Sequence, residues 1–470
     1  MLLVKIPKVC QNEQRYSLEV LLGEFLGLTY YVEEFEGKFI EISKSSSEFG
    51  IDVLQSFPSL TLDASFFHTA HKFWLKHESM PVFPLDLWLP SGSGIDANLV
   101  NASVPVLYGK QGLVRNGLNV HVNLDVFGSA FFMLSRYEEL VTTDRDSHDR
   151  FPAWASVAHK SDFLDRPIVN EYLEILWQCL KSMWPDLVRK SHFKKNIITC
   201  DCDHPFDNSI YSFNLAARKV VRLLLVDKQP IAASKAAWNY LAAKLNLKVN
   251  DVYKNTIVWM MDVNEAQGNS VSFYFIPVKT SELDGLVDFN SSRIRKLLRE
   301  ISERGHEIGV HPGYETYTNS YNFNLSVYVL KKVLEEEGIE QKELGGRQHY
   351  LRWDTAKTGN MVQDSGLVYD SSLSFADKAG FRCGVCYEFT MYNLGNRRPF
   401  NLKQKPLIVM ECTVIDARYE ALGYSKQAIQ RFDYFKKVCH QFNGTFTLLW
   451  HNCHLGKQDK EIYRCLIKLD

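Results

Sequence analysis

Four short runs hold side chains suited to moving protons or gripping a cation. The first, CDCDHPFD, carries Asp201, Asp203, His204 and Asp207. An extended backbone sends alternate side chains to one side, so Asp201 and Asp203 can share a pocket in which one carboxylate binds a metal while the other stays free as a base. Taken alone, such a pair more often caps the helix that follows. The second run, GHEIGVHPGYETY, holds His306, Glu307, His311 and Glu315. It is not the HExxH of zinc proteases, because its histidines are five residues apart, about 140° around a helix. A strand ending at His311 fits better and sets His311 at the strand's mouth, where Glu315, four residues on, can turn back toward the same point. The third, GGRQHYLRW, supplies Arg347, His349, Tyr350 and Arg352, and the fourth, LLWHNCH, supplies His451. Each residue singly has a packing or capping explanation. Four polar clusters, each just beyond a strand-like run, are hard to explain that way.

The elements that must position them follow from periodicity. From Asn196 onward short apolar runs alternate with amphipathic helices, the pattern of a parallel sheet or barrel. The candidate strands are NIITC (196–200), VSFYFI (271–276), EIGVH (307–311), LIVME (407–411) and TFTLLWH (445–451). Between them Ile294, Leu297, Leu298 and Ile301 have helical spacing with Gly305 as a stop, and the helix of Val327, Leu330 and Leu334 ends at Gly338. In such folds reactive residues gather at the C-terminal ends of the strands. The stretch 208–269 is long for a connection, and its helical character suits a lid or a substrate wall. Before Asn196, Leu21, Leu22, Phe25 and Leu26 share a helical stripe, Tyr30 to Val32 read as a strand, and Asn116-Gly117 reads as a tight hairpin turn. Helices are expected over 127–140 and 168–184. A chain of 470 residues exceeds one ordinary core, so we expect two domains, an α/β domain over 1–195 and a (β/α) unit over 196–470.

Composition narrows the partners. Hydrophobic residues make up 46% and charged residues 23%, which suits a packed enzyme-sized fold. With 54 basic and 55 acidic residues the net charge is -1, against a nucleic-acid partner. The short basic run at Arg218, Lys219 and Arg222 reads as a solvated helix face. No apolar stretch approaches the roughly 18 residues of a membrane span, and Lys5 and Lys8 interrupt the opening run. We therefore expect neither signal peptide nor anchor, ten reduced cysteines, and a cytoplasmic location. The Cys383–Cys386 spacing has no second CxxC to complete a thiolate site and reads as structural.

The order CDCDH, GHEIGVH, RQHY and LLWH resembles the successive motifs of the polysaccharide deacetylase (NodB homology) family, whose fold is a distorted (β/α) barrel. GGRQHYLRW, YDSSLSFADKAGFRCG and LLWHN resemble a bacterial subgroup in which the barrel follows an N-terminal domain of unknown function, and FGSAFFMLSRYEEL and FLDRPIVNEYLEIL resemble segments of that domain. The resemblance implies a carbohydrate deacetylase dependent on a divalent metal ion, zinc being the expected one, acting on a small-molecule or oligosaccharide substrate. It implies that Asp201 is the catalytic base, Arg347 the residue that orients it, Tyr350 a backbone donor to the oxyanion, and His451 the general acid. Asp203 and His311 become metal ligands. The departure is Glu315, which stands where the family has its second metal histidine; Glu315 or His204 would complete the shell. Trp353, Phe381, Tyr387 and Trp450 are candidates for stacking on sugar rings or, more commonly, for packing. A sugar-binding barrel without hydrolysis, suggested by the missing histidine, and an amidohydrolase on a non-sugar C–N bond are the alternatives. A substrate that is a sugar precursor for a cell-surface polysaccharide fits the expected location.

Overall fold

Apolar and polar residues alternate in LLVKIP, and Leu2–Pro7 is accordingly a strand with Leu2, Val4 and Ile6 buried. It belongs to a mixed α/β chain whose computed structural model describes residues 1–44, 58–285 and 287–468. The chain divides into two units, Met1–Lys195 with Tyr350–Thr447, and Asn196–His349 with Leu448–Asp470. The sequence reading has two continuous halves. In the structure both units are discontinuous, and residues 350–447 group with the first.

In the first unit six strands lie in the order Tyr30–Phe35, Leu2–Pro7, Ile40–Lys44, Ser59–Leu62, Asn119–Leu124 and Gly109–Asn116. The last two form the hairpin expected at Asn116-Gly117, with Asn116 opposite Asn119 and Gly117 at φ 59°. The helix Val126–Leu134 is buried on every side, as a helix apolar all round must be. Asp125 caps it by accepting from the Gly128 N–H at 2.7 Å. The 21–26 stripe is buried as expected, although Glu19–Phe25 is wound as a π-helix after the α-helix Gln11–Leu18.

In the second unit the strands Gly345–Gly346, Glu307–Val310, Val271–Phe275 and Lys195–Cys202, the last from Asn196 on, run in that order, followed by Leu448–Leu449, the end of the strand Thr445–Leu449. The first four are joined in parallel. All five residues of Val271–Phe275 are buried, as a strand covered on both faces requires. Helices Ser292–Glu303 and Ser320–Glu336 follow strands and bury the expected apolar stripes, with Gly305 and Gly338 in the left-handed conformation just beyond their ends. The run LIVME, in the first unit, departs from expectation: only Val409–Met410 is strand, and Glu411 begins the short helix Glu411–Ile415.

Candidate metal centre

Within the second unit, Lys195–Cys202 ends in alternating residues. Cys200 and Cys202 lie together with Sγ atoms 3.7 Å apart, so the pleat sends Asp201 and Asp203 to the opposite side. Beyond the neighbouring strand comes His311, whose N–H donates to the Phe275 C=O at 2.7 Å. Its Nδ1–H donates to the Arg347 C=O, which turns Nε2 toward the carboxylates, 3.4 Å from Asp203 Oδ1 and 3.7 Å from Asp201 Oδ2. His349 follows the next strand and brings its Nε2 to 3.6 Å from Asp203 Oδ1. Asp203, His311 and His349 each offer a ligand atom, and the three atoms lie within 4.8 Å of one another.

These residues fit a divalent cation on grounds of hydrogen bonding as well as proximity. Among the described residues, neither the buried Asp203 Oδ1 nor the buried His311 Nε2 has a hydrogen-bond partner, a cost of about 1–3 kcal/mol for each such atom unless something answers it. One carboxylate and two imidazoles are ordinary ligands of zinc.

His349 is held from behind by a residue that the sequence gives no reason to single out. Asp284 lies in the connection after Val271–Phe275, and its Oδ1 accepts from His349 Nδ1–H and from the Tyr314 N–H, both at 2.7 Å. Its Oδ2 accepts from the Thr280 N–H at 2.7 Å, the Thr280 hydroxyl at 2.8 Å and the Ser281 N–H at 2.9 Å. A carboxylate behind a ligating histidine fixes its tautomer and ring plane. Burial by itself would lower the His349 pKa, but Asp203 and Asp284 raise it to about 9. Burial would raise the Asp203 carboxyl; His349, His311 and His451 hold it well below the usual range. Asp284 is also held low, against burial, by His349 and the Thr280 and Tyr314 amides.

Asp201 is buried and paired. Arg347 Nη1 donates to Asp201 Oδ1 at 3.0 Å and to the Thr199 hydroxyl oxygen at 2.7 Å. The guanidinium itself lies over the Tyr274 ring, 5.0 Å from its centroid. His451, just past the last strand, is half-buried with Nε2 4.0 Å from Asp203 Oδ2. The structure thus brings together Asp201, Asp203, His311, Arg347 and His451 of the expected set, and adds His349 and Asp284.

Two expected ligands lie elsewhere. Glu315 is exposed on the turn Tyr314–Thr316, its N–H donating to the Thr280 hydroxyl oxygen at 3.1 Å. The chain turns at Pro312-Gly313 and leaves Glu315 exposed, whereas His349 offers a ligand atom within 4.8 Å of those of Asp203 and His311. His204 is half-buried near Tyr253, with ring centroids 6.3 Å apart, and its carbonyl accepts from Asn452. Tyr350, the first residue grouped with the other unit, has φ 61° and its carbonyl accepts from Arg150 at 2.9 Å. Trp353, Phe381, Tyr387 and Trp450 are all buried, which makes them packing residues.

Residues 2–185 match a family of unknown function, DUF7033. No curated protein matches the chain. Among solved structures, one from Mycobacterium smegmatis that is named as a polysaccharide deacetylase is similar at a TM-score of 0.37 and 15% identity, over 60% of this chain and 84% of that one. A likeness this slight carries no chemistry, which rests on the side chains above.

Proposed function

We propose that the chain is a metal-dependent hydrolase that removes N-acetyl groups from a sugar or sugar precursor, on a barrel of the polysaccharide deacetylase kind. The observation that carries this reading is the convergence of two partnerless buried atoms, Asp203 Oδ1 and His311 Nε2, with His349 Nε2 beside a separate, Arg-paired carboxylate. A divalent cation held by these three ligands would supply a Lewis acid for an amide carbonyl and lower the pKa of a water.

The chain's own groups divide the remaining work. Asp201 has one oxygen engaged by Arg347 and the other facing His311 Nε2 at 3.7 Å, so it takes a proton from the attacking water while Arg347 keeps it oriented. His451, on the Asp203 side, gives a proton to the departing amine, which leaves poorly without one. The sugar-binding alternative drew on a missing imidazole, and His349 supplies an imidazole.

The test joins metal content to acetate release from N-acetylated sugars. Purified parent protein is expected to hold about one zinc-class ion per chain and to release acetate. His349→Ala should lose both, whereas Glu315→Ala should keep both. A His349→Ala protein with the parent's metal content would sink the assignment. His451→Ala is expected to retain the metal and lose turnover on the order of 100-fold or more at saturating substrate; equal turnover removes His451 from the mechanism.

A further inference from the structure

Between Asp207 and Asp251 the second unit carries a helical hairpin, Phe213–Leu225 and Pro230–Lys244, whose two helices pack on each other. Its burial is inverted. The buried positions of the two helices are alanines, Ala216, Ala233 and Ala242, while the large apolar residues face out. Phe213, Val221, Leu224 and Leu225 are 46% to 74% exposed and fall within about 120° of the first helix; Leu215, 38% exposed, and Val226 at the helix end, 71% exposed, lie outside that arc. Ile231, Trp238 and Leu241, with Leu245 at the helix end, are 51% to 72% exposed and fall within about 80° of the second. Soluble surfaces seldom leave so many large apolar side chains together in water, and such a patch marks a surface that meets something.

Charge says what it meets. Residues 213–248 include seven Lys or Arg and one acidic residue, Asp227, a net +6 in a chain whose total is -1. A second copy of the same hairpin would set a net +6 against a net +6, and a neutral apolar partner would leave that excess unanswered. Exposed Trp, Phe and Leu flanked by Lys and Arg is the composition of helices that lie in an anionic lipid surface. Among the described residues no helix is long and apolar enough to cross a membrane; a hairpin of this composition would lie along a lipid surface.

The hairpin is also tied to the metal centre. Its first helix begins ten residues after Asp203. Its base is closed by the Asp207 N–H donating to both Asp251 carboxylate oxygens at 3.1 and 3.2 Å and by the Lys219–Asp207 ion pair. The Asn452 side chain, beside His451, donates to the His204 C=O at 2.8 Å and the Tyr253 C=O at 3.4 Å. A surface that takes up the hairpin therefore holds a segment whose base is bonded to the loop that follows Asp203.

We propose that the 213–248 hairpin docks the protein on an anionic membrane surface. It follows, resting on the deacetylase reading, that the substrate is an N-acylated sugar carried by a membrane-embedded lipid. The docking is tested on the full chain by flotation with phosphatidylglycerol–phosphatidylcholine vesicles and with phosphatidylcholine alone, at low and high salt. The parent should float with the anionic vesicles, on the order of tenfold less with neutral ones or at high salt. Leu225→Glu with Trp238→Glu should cut anionic flotation by about tenfold with unchanged thermal midpoint and unchanged deacetylation of a soluble N-acetyl sugar. Should that double variant fail to fold, Arg218→Gln with Arg222→Gln and Lys235→Gln must show the same loss at low salt. A parent that stays with the unfloated protein overturns the proposal, as does a folded variant that floats like the parent. So does a parent dimer, seen by sedimentation velocity, that the apolar-to-glutamate variant dissolves. Flotation needs no turnover: a chain that floats but releases no acetate keeps the docking and loses the deacetylase, and acetate release without flotation does the reverse.

Discussion

A histidine held between two carboxylates keeps a proton that a free imidazole sheds near neutral pH. In the metal-free protein His349 has its pKa raised from 6.5 to about 9, against burial, by Asp203 and Asp284. A group raised on folding contributes stability that is fully present below its unfolded pKa and is lost as pH rises through the folded one. The melting temperature in chelator should therefore fall between about pH 6.5 and pH 9, and His349→Gln should flatten that slope; an unchanged profile would count against the pairing. Metal must displace the Nε2 proton, so zinc affinity should climb by about tenfold per pH unit up to that range. Asp284→Asn keeps the side-chain shape but weakens the grip on Nδ1–H, and should cost about 10–100-fold in zinc affinity by calorimetry. Much of this centre is legible in the sequence. Strand alternation brings out Asp201 and Asp203, and strand-end logic brings out His311. His349 stands in a run that invites attention, yet spacing alone cannot say that Glu315 turns outward and His349 inward. Asp284 is a lone acid in a connection, and only the return of the chain past Tyr314 and His349 gives it meaning.

At the scale of elements, two glycines let the Asp284 connection lie against its neighbours. A Cβ on Gly285 would stand 1.6 Å from the Asp203 carbonyl oxygen, and one on Gly313 would stand 2.6 Å from both Asp284 Oδ2 and the Thr280 hydroxyl. Backbone cannot yield as a side-chain tip can. Gly285→Ala should therefore lower stability by roughly 1–3 kcal/mol and release the metal, although it alters no ligand; urea unfolding and metal analysis together check this. Parent-like values in both would show that the connection shifts freely. The strands of this unit are readable because short apolar runs closed by polar clusters have few other folded uses, and its helices because Gly305 and Gly338 stop them. LIVME misleads because its apolar run is served as well by two strand residues leading into a buried helical turn. The 208–269 stretch reads as helical, but periodicity cannot tell which face is covered, and a stripe exposed to water looks in sequence like one facing a core.

For the molecule as a whole, the grouping of residues 350–447 with the first unit rests on pairs no local pattern announces. Glu139 accepts from Arg136 at 2.8 Å and from Arg382 at 2.9 and 2.8 Å, all three side chains buried. Glu13 likewise accepts from Tyr392 and Arg397, both at 2.7 Å. Burial would raise Glu139, yet Arg382 and Arg136 bring it down to about 2, so its contribution is present above pH 4.5 and is lost as pH falls toward 2. Glu139→Ala would leave the buried Arg382 guanidinium without its carboxylate, while Arg136 keeps Glu138 at 2.7 Å, and should destabilise the first unit by about 3–5 kcal/mol, read by urea unfolding; a loss below about 1 kcal/mol would mean that water reaches the pair. Residues 350–447 group with the first unit although these partners lie more than two hundred positions apart, a distance over which periodicity says nothing. That discontinuity orders events on the ribosome. Asp203, His311 and His349 are synthesised long before Leu448 brings the chain back to the second unit, so a nascent chain holds a sheet whose Lys195–Cys202 strand still lacks its Thr445–Leu449 neighbour. Until translation is nearly finished that strand offers an open edge to any passing strand.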